Sequence, residues 1–167
     1  MKEIFERRSV RKFTDEPIAD AQLEKLLRAA MRAPSAGNEQ PWEFIVVKSK
    51  ETMQKIREFH IYSQPLDTAA CAVVVCGNQM KERFPGYWVQ DCSAATQNLL
   101  LEAVHLGLGA VWMGVYPMQA RVEDCQKLFN LPEHVLPLGI IAIGHPAEAP
   151  APLDTYKPER VHLESWE

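Results

Sequence analysis

WVQDCSAATQNLLLEAVHLGLGAVWMG, residues 88–114, decides the reading of this chain. On a helical wheel Gln90, Asp91, Gln97, Asn98, Glu102 and His105 fall on one narrow arc, and nearly everything else is apolar or small. A surface helix carries a single apolar stripe, so a helix that is apolar nearly all round is buried on most sides. Gly107 and Gly109 stop it, glycine being the common residue past a helix C-terminus. Residues 110–113 then read as a short buried strand that ends at Gly114, where a ligand can come close to backbone. The helix is too polar and interrupted to span a membrane, which takes about 20 consecutive apolar residues.

Outward from that stretch, helices and strands alternate. A short helical turn around Ile4 and Phe5 leads into the basic string Arg7, Arg8, Arg11, Lys12. Leu23, Leu26, Leu27, Ala30 and Met31 recur at helical spacing and predict one buried face, with Asp20 at the helix start. PSAGNEQPW, 34–42, is a loop with two prolines and no periodicity. A strand at 44–47 and an amphipathic helix at 51–59 follow, then an irregular piece at 60–70. CAVVVC, 71–76, and LPLGIIAIG, 136–144, read as buried strands. Residues 78–87 form an exposed loop or lid, and 119–129 a helix. From His145 a proline-rich tail (Pro146, Pro150, Pro152, Pro158) still carries Val161, Leu163 and Trp166, which must pack on their own subunit or on a partner. The alternating order suggests first a doubly wound parallel sheet. No GxGxxG follows any strand, and the first strand comes late, so the pattern supports a sheet with helices on its faces and no more.

The chain has 167 residues, the size of one domain, with 47% hydrophobic and 24% charged residues. A net charge of −4 gives no basic field for nucleic acid. MKEIFERRS lacks the apolar run of a signal peptide, so the expected place is the cytoplasm, with no membrane partner. Cys71, Cys76, Cys92 and Cys125 form no CxxC pair, and neither a metal site nor a disulfide framework is expected.

Arg7, Arg8, Ser9 and Arg11 concentrate guanidinium and hydroxyl donors suited to phosphate, although a solvated basic face would look the same. Ser35, Asn38 and Gln40 offer donors and acceptors suited to the edge of a heterocycle, although turns favour these residues too. The five histidines are scattered and no nucleophile pairs with a base, so an enzyme built this way needs a cofactor for its reactivity.

Together RRSVRKF (7–13), PSAGNEQPWEF (34–44), DCSAATQNLLLEAVHLGLGAVWMG (91–114) and LPLGIIAIGHP (136–146) resemble the flavin-dependent nitroreductase family, in order and spacing over almost the whole chain. The length and the tail ending RVHLESW look like its short branch. The resemblance implies an α+β fold: a mainly antiparallel central sheet flanked by helices, 1–167 as one FMN-binding domain, and an intertwined homodimer whose 145–167 tail is exchanged onto the partner sheet. It implies two FMN molecules at the dimer interface, with NADH or NADPH as donor. By the same resemblance Arg7, Arg8, Ser9 and Arg11 contact the phosphate and ribityl chain, while Pro34, Ser35, Asn38 and Gln40 meet the flavin of the partner chain. Val111, Trp112, Met113 and Gly114 lie over one flavin face, with a backbone N–H near Gly114 at N5, and Arg160 or Lys157 completes the phosphate site. The implied activity is NAD(P)H-dependent reduction of nitroaromatics, quinones or similar small oxidants by a two-step hydride shuttle through N5, with no catalytic side chain. A specialised dehalogenating or flavin-degrading enzyme and a non-catalytic flavin-storage protein are the alternatives. Many relatives carry glutamate where this chain has Met113, and a long helical insertion that it lacks.

Overall fold

In the computed structural model, residues 2–149, 151 and 153–166 are described; Pro150 and Pro152 of the tail lie outside them. Five helices, α1 (Lys2–Glu6), α2 (Asp20–Ala30), α3 (Lys50–Phe59), α4 (Trp88–His105) and α5 (Gln119–Phe129), surround four strands, β1 (Trp42–Val47), β2 (Cys71–Asn78), β3 (Gly109–Gly114) and β4 (Val135–Gly144). The strand order is β1-β2-β4-β3, and every pairing is antiparallel. This corrects the parallel sheet suggested by the alternating order. The β4 strand inserts between β2 and β3, so these two consecutive strands are not neighbours, and helix–strand alternation carries no information about strand direction.

The sheet is buried on both faces. Cys71, Val73 and Val75 of β2 point to α2 and α4, with Leu26, Leu99 and Ala103. Ala72, Val74 and Cys76 point the other way, to Met53 and Ile56 of α3 and Val122 and Cys125 of α5. A strand with helices on both faces needs apolar residues at every position, which is why CAVVVC shows no alternation. A bulge in β4 sits opposite Val75 and Cys76: Val75 faces Gly139, Cys76 faces Pro137, and Leu138 is the extra residue. The Leu138 carbonyl accepts from both Val115 N–H (3.0 Å) and Tyr116 N–H (3.1 Å), which bends the chain away just past the end of β3.

Helix α4 is the organising element expected. Leu99 and Ala103 are fully buried, and Asn98 Nδ2 donates to the Ala29 carbonyl of α2 at 3.2 Å. Asp91 departs from the polar arc: it is buried against loop 34–40, because its carboxylate accepts from the Ala36 N–H at 3.0 Å. On α2, Met31 is half exposed, one residue past the helix end, and does not share its buried face. The four cysteines are buried and free; burial holds Cys71 up to about 11 and Cys92 and Cys125 up to about 12, so they stay as thiols. Among the described residues no helix is long and apolar enough to cross a membrane, and no cluster of His, Cys, Asp and Glu is arranged for a metal ion.

The N-terminal arm runs along the outer edge of β3. Ser9 bridges to Ala110 in parallel, Val10 N–H donates to the Ala110 carbonyl at 3.1 Å, and Phe13 bridges to Pro146. Val10 lies so close over Gly109 that a Cβ there would meet its side chain at 2.7 Å. The arm thereby carries Arg11 and Lys12 to the same edge.

Candidate cofactor site

The outer edge of β3 is where the sequence-predicted residues meet others that the sequence did not single out. In an antiparallel ladder, alternate residues turn both N–H and C=O to the same side. Val115 N–H turns inward to Leu138, while the carbonyls of Ala110 and Gly114 turn outward, so the N–H of Gly114 and both main-chain groups of Trp112 also face the outer edge. A cavity of about 500 Å³ opens against this edge, lined by Val111, Trp112, Met113 and Gly114 together with Arg11, Lys12, His60, Tyr62, Gln64 and Arg121. Val111 and Met113 send their side chains into the core, whereas Trp112 is partly exposed.

Gly114 has nothing within 4 Å of where a Cβ would stand. Its φ lies outside the left-handed region, so neither packing nor backbone conformation demands glycine there. What glycine leaves is flat, open backbone on a cavity wall, room for a planar ring to lie against.

The Gly114 carbonyl is held from two sides. His60 Nε2 lies 2.9 Å from it and Arg121 Nη1 donates to it at 3.1 Å. Tyr62 N–H meets His60 Nδ1 at 3.3 Å, so Nδ1 accepts and Nε2 carries the proton. Burial lowers the pKa of His60, the Arg121 charge adds to this, and the Gly114 carbonyl opposes it. The imidazole therefore stays neutral, in one tautomer. The Arg121 guanidinium also sits over the Tyr62 ring, 5.4 Å from its centroid, which fixes the cavity mouth by a cation–π contact.

The remaining predicted residues lie elsewhere on this chain. Arg7 and Arg8 line a second cavity of about 650 Å³ with Ile4, Phe5 and tail residues Leu153–Tyr156. Ser9 holds the arm to β3, and its carbonyl accepts from Arg11 Nη1 at 3.4 Å. Pro34, Ser35, Asn38 and Gln40 form the loop before β1, where Ser35 Oγ accepts from Gln40 N–H at 3.0 Å and Asn38 Oδ1 from Gln40 Nε2 at 3.1 Å. These residues are outside the lining of the β3 cavity. Lys157 and Arg160 are exposed in the tail, at its 3-10 turn, as are Val161, Leu163 and Trp166.

The chain matches the model of the nitroreductase family over residues 4–80 and 60–145. The chain belongs to that family. A protein of Methanothermobacter thermautotrophicus, provisionally named NADH dehydrogenase/NAD(P)H nitroreductase, is 50% identical over 160 residues, 96% of this chain and 84% of that one. A crystal structure from Parabacteroides distasonis with the same provisional name is 40% identical, covers 99% of this chain and 97% of that one, and superposes with a TM-score of 0.95. A nitroreductase of Desulfovibrio desulfuricans, provisionally so named and solved in complex with FMN, is 27% identical, covers 99% of this chain and 96% of that one, and gives a TM-score of 0.85. The α+β fold with its antiparallel sheet is thus the fold of this nitroreductase family.

Proposed function

We propose that this nitroreductase-family chain is an FMN-containing NAD(P)H oxidoreductase that works as a homodimer and reduces small acceptors such as nitroaromatics and quinones. The observation that carries the reading is the edge of β3, where flat open backbone at Gly114, an outward N–H and the cations Arg11, Lys12 and Arg121 share one cavity. Similarity to a nitroreductase solved with FMN, and to a relative named for NAD(P)H, supports it. FMN, when bound, would supply two-electron redox chemistry between NAD(P)H and the acceptor.

The chain's own residues do the rest. Arg7, Arg8, Ser9 and Arg11 would hold the phosphate and ribityl chain, the guanidinium fork matching phosphate oxygens two at a time. Lys157 or Arg160 would add to them from the tail. The outward N–H at Gly114 would donate to the edge of the ring, while Val111, Trp112 and Met113 form the wall beneath it. His60 and Arg121 act as positioning residues: by binding the Gly114 carbonyl they fix the orientation of the residue whose N–H meets the ring. Pro34, Ser35, Asn38 and Gln40 would reach the ring from a second copy of the chain. That copy would also cover exposed Phe5 and the exposed apolar tail residues. In this reading 1–167 is one flavin-binding domain, its tail from 145 onward is exchanged, and its reduced cysteines suit the cytoplasm.

Acid release of the cofactor from purified protein, followed by chromatography, tests the first half; FAD or no flavin overturns it. Anaerobic NADH or NADPH should bleach the flavin bands, and an acceptor should restore them. Bands that neither donor bleaches would contradict the reductase.

A further inference from the structure

Glu39 and Asp91 are both buried, 9% and 5% exposed, and each keeps one carboxyl oxygen without a hydrogen-bond partner: Glu39 Oε1 and Asp91 Oδ2. Their other oxygens are occupied. Asp91 Oδ1 accepts from Ala36 N–H at 3.0 Å, and Glu39 Oε2 accepts from Arg83 N–H at 2.6 Å and Phe84 N–H at 3.2 Å. Both are held at Ala36, whose N–H is bound by Asp91 and whose carbonyl accepts from Glu39 N–H at 3.0 Å, so the two carboxyls meet at one turn of the loop. Two ionised carboxylates in buried contact repel, and two orphaned oxygens together lack one proton.

We propose that Asp91 and Glu39 share one proton, carried on Asp91 Oδ2 and donated to Glu39 Oε1, and that this pair is a pH-sensitive latch fastening loop 34–40 and lid 79–87 to the start of α4. One proton satisfies both orphans at once. Glu39, as the anion, then accepts three hydrogen bonds, and neutral Asp91 donates one and accepts one. Through these bonds the pair ties three chain segments that are otherwise surface loops and a helix end. Phe84 is seated directly on Gly37, where a Cβ would meet its ring at 2.5 Å, so the lid and loop move together.

The surrounding charges favour the protonated form. Glu82 faces the pair from the lid, where its Oε1 accepts from Gly86 and Trp88 N–H, and Glu43 of β1 is paired with Lys81 at 2.6 Å. Arg83 and Tyr87 flank the pair along the lid, and Cys92 on α4 stays a neutral thiol. Asp91 is raised above the ordinary carboxylate value, first by burial and further by the Glu39 and Glu82 charges, against the Ala36 N–H. A raised folded-state value means that opening the latch releases a proton. The latch is therefore strongest at low pH and weakens as pH rises toward the folded-state value.

Amide hydrogen exchange of Ala36, Arg83 and Phe84 from the ordinary aspartate value of 3.8 upward, corrected for the intrinsic base catalysis of exchange, tests this on the full-length protein as isolated. Protection in the wild type should fall about tenfold per pH unit until the pair ionises, the linkage expected for one released proton. Glu39→Gln and Asp91→Asn each replace the shared proton with an amide N–H in the same contact. Both should keep the protection and lose its pH dependence, while Glu39→Ala should lose protection at every pH. A wild type as flat with pH as Glu39→Gln, or amide variants as exposed as Glu39→Ala, would overturn the latch. Because loop 34–40 would also meet the flavin in the proposed dimer, wild type and variants are compared at equal flavin content, and the change of protection with pH tells the latch from the flavin reading.

Discussion

His60 Nε2 and the Gly114 carbonyl oxygen lie 2.9 Å apart, although 54 residues separate them in sequence. The contact joins the irregular segment after α3 to the end of β3 and closes one wall of the cavity. His60→Ala removes this donor and leaves Tyr62 N–H without its acceptor, and unmet buried partners cost about 1–3 kcal/mol. Urea denaturation should show that loss. Because the folded-state value of His60 is lowered, its contribution is whole above about pH 6.5 and is lost as pH falls below that toward the folded value. The stability difference between wild type and His60→Ala should therefore shrink on acidification. A difference that grows instead would mean that His60 is protonated in the fold.

Arg11→Ala separates phosphate binding from ring binding. Loss of a charge-assisted pair, worth roughly 1.5–3 kcal/mol, should weaken FMN on the order of tenfold to a hundredfold. Riboflavin, which has no phosphate, should bind both proteins alike. The melting temperature should fall in holoprotein and stay nearly fixed in apoprotein. Equal losses for both ligands would assign Arg11 to the ring or the fold.

Much of the architecture was legible because burial leaves periodic traces. The all-round apolarity of α4 and the unbroken Cys71–Cys76 run both follow from helices covering both sheet faces. Strand direction was not legible from the element order, since the insertion of β4 between β2 and β3 is a tertiary choice. Asp91 fell on the polar arc by spacing, yet it is buried because its carboxyl binds the Ala36 N–H, 55 residues away. His60 looked like one scattered histidine among five, and nothing in the sequence singled out Arg121 within the helix 119–129. Their roles exist only once positions 60, 114 and 121 meet at one carbonyl. What marked the spot in the sequence is Gly114, read there as a strand end open to a ligand, and nothing in the surrounding chain requires glycine at that position.

Leu99→Ala should be among the costliest core substitutions. Leu99 is fully buried on the α4 face that meets the sheet, and such truncations cost about 2–5 kcal/mol. Met31→Ala, at a half-exposed position, should stay within about 0.5 kcal/mol. Comparable losses at both positions would contradict the burial pattern.

Sedimentation should give a mass of twice 18.9 kDa. In the proposed dimer the second copy would pack against a groove where Ile4, Ala29 and Leu101 lie beside Arg32, Asn98 and Glu102. Leu101→Glu would bury an unpaired charge there and should weaken dimerisation, with FMN affinity falling alongside if, as proposed, loop 34–40 reaches the ring from the partner. A wild-type monomer that still binds FMN tightly would remove the partner loop from the site.

Gly114→Val tests the site most directly. A Cβ there meets nothing within 4 Å outside the adjoining residues, and a β-branched residue suits a strand, so apoprotein should fold and melt as the wild type does. Titration with FMN, followed by quenching of flavin fluorescence, should then show binding lost, because the new methyl groups occupy the space against which the ring must lie. Gly114→Val protein that binds FMN with wild-type affinity would contradict the placement of the flavin on β3.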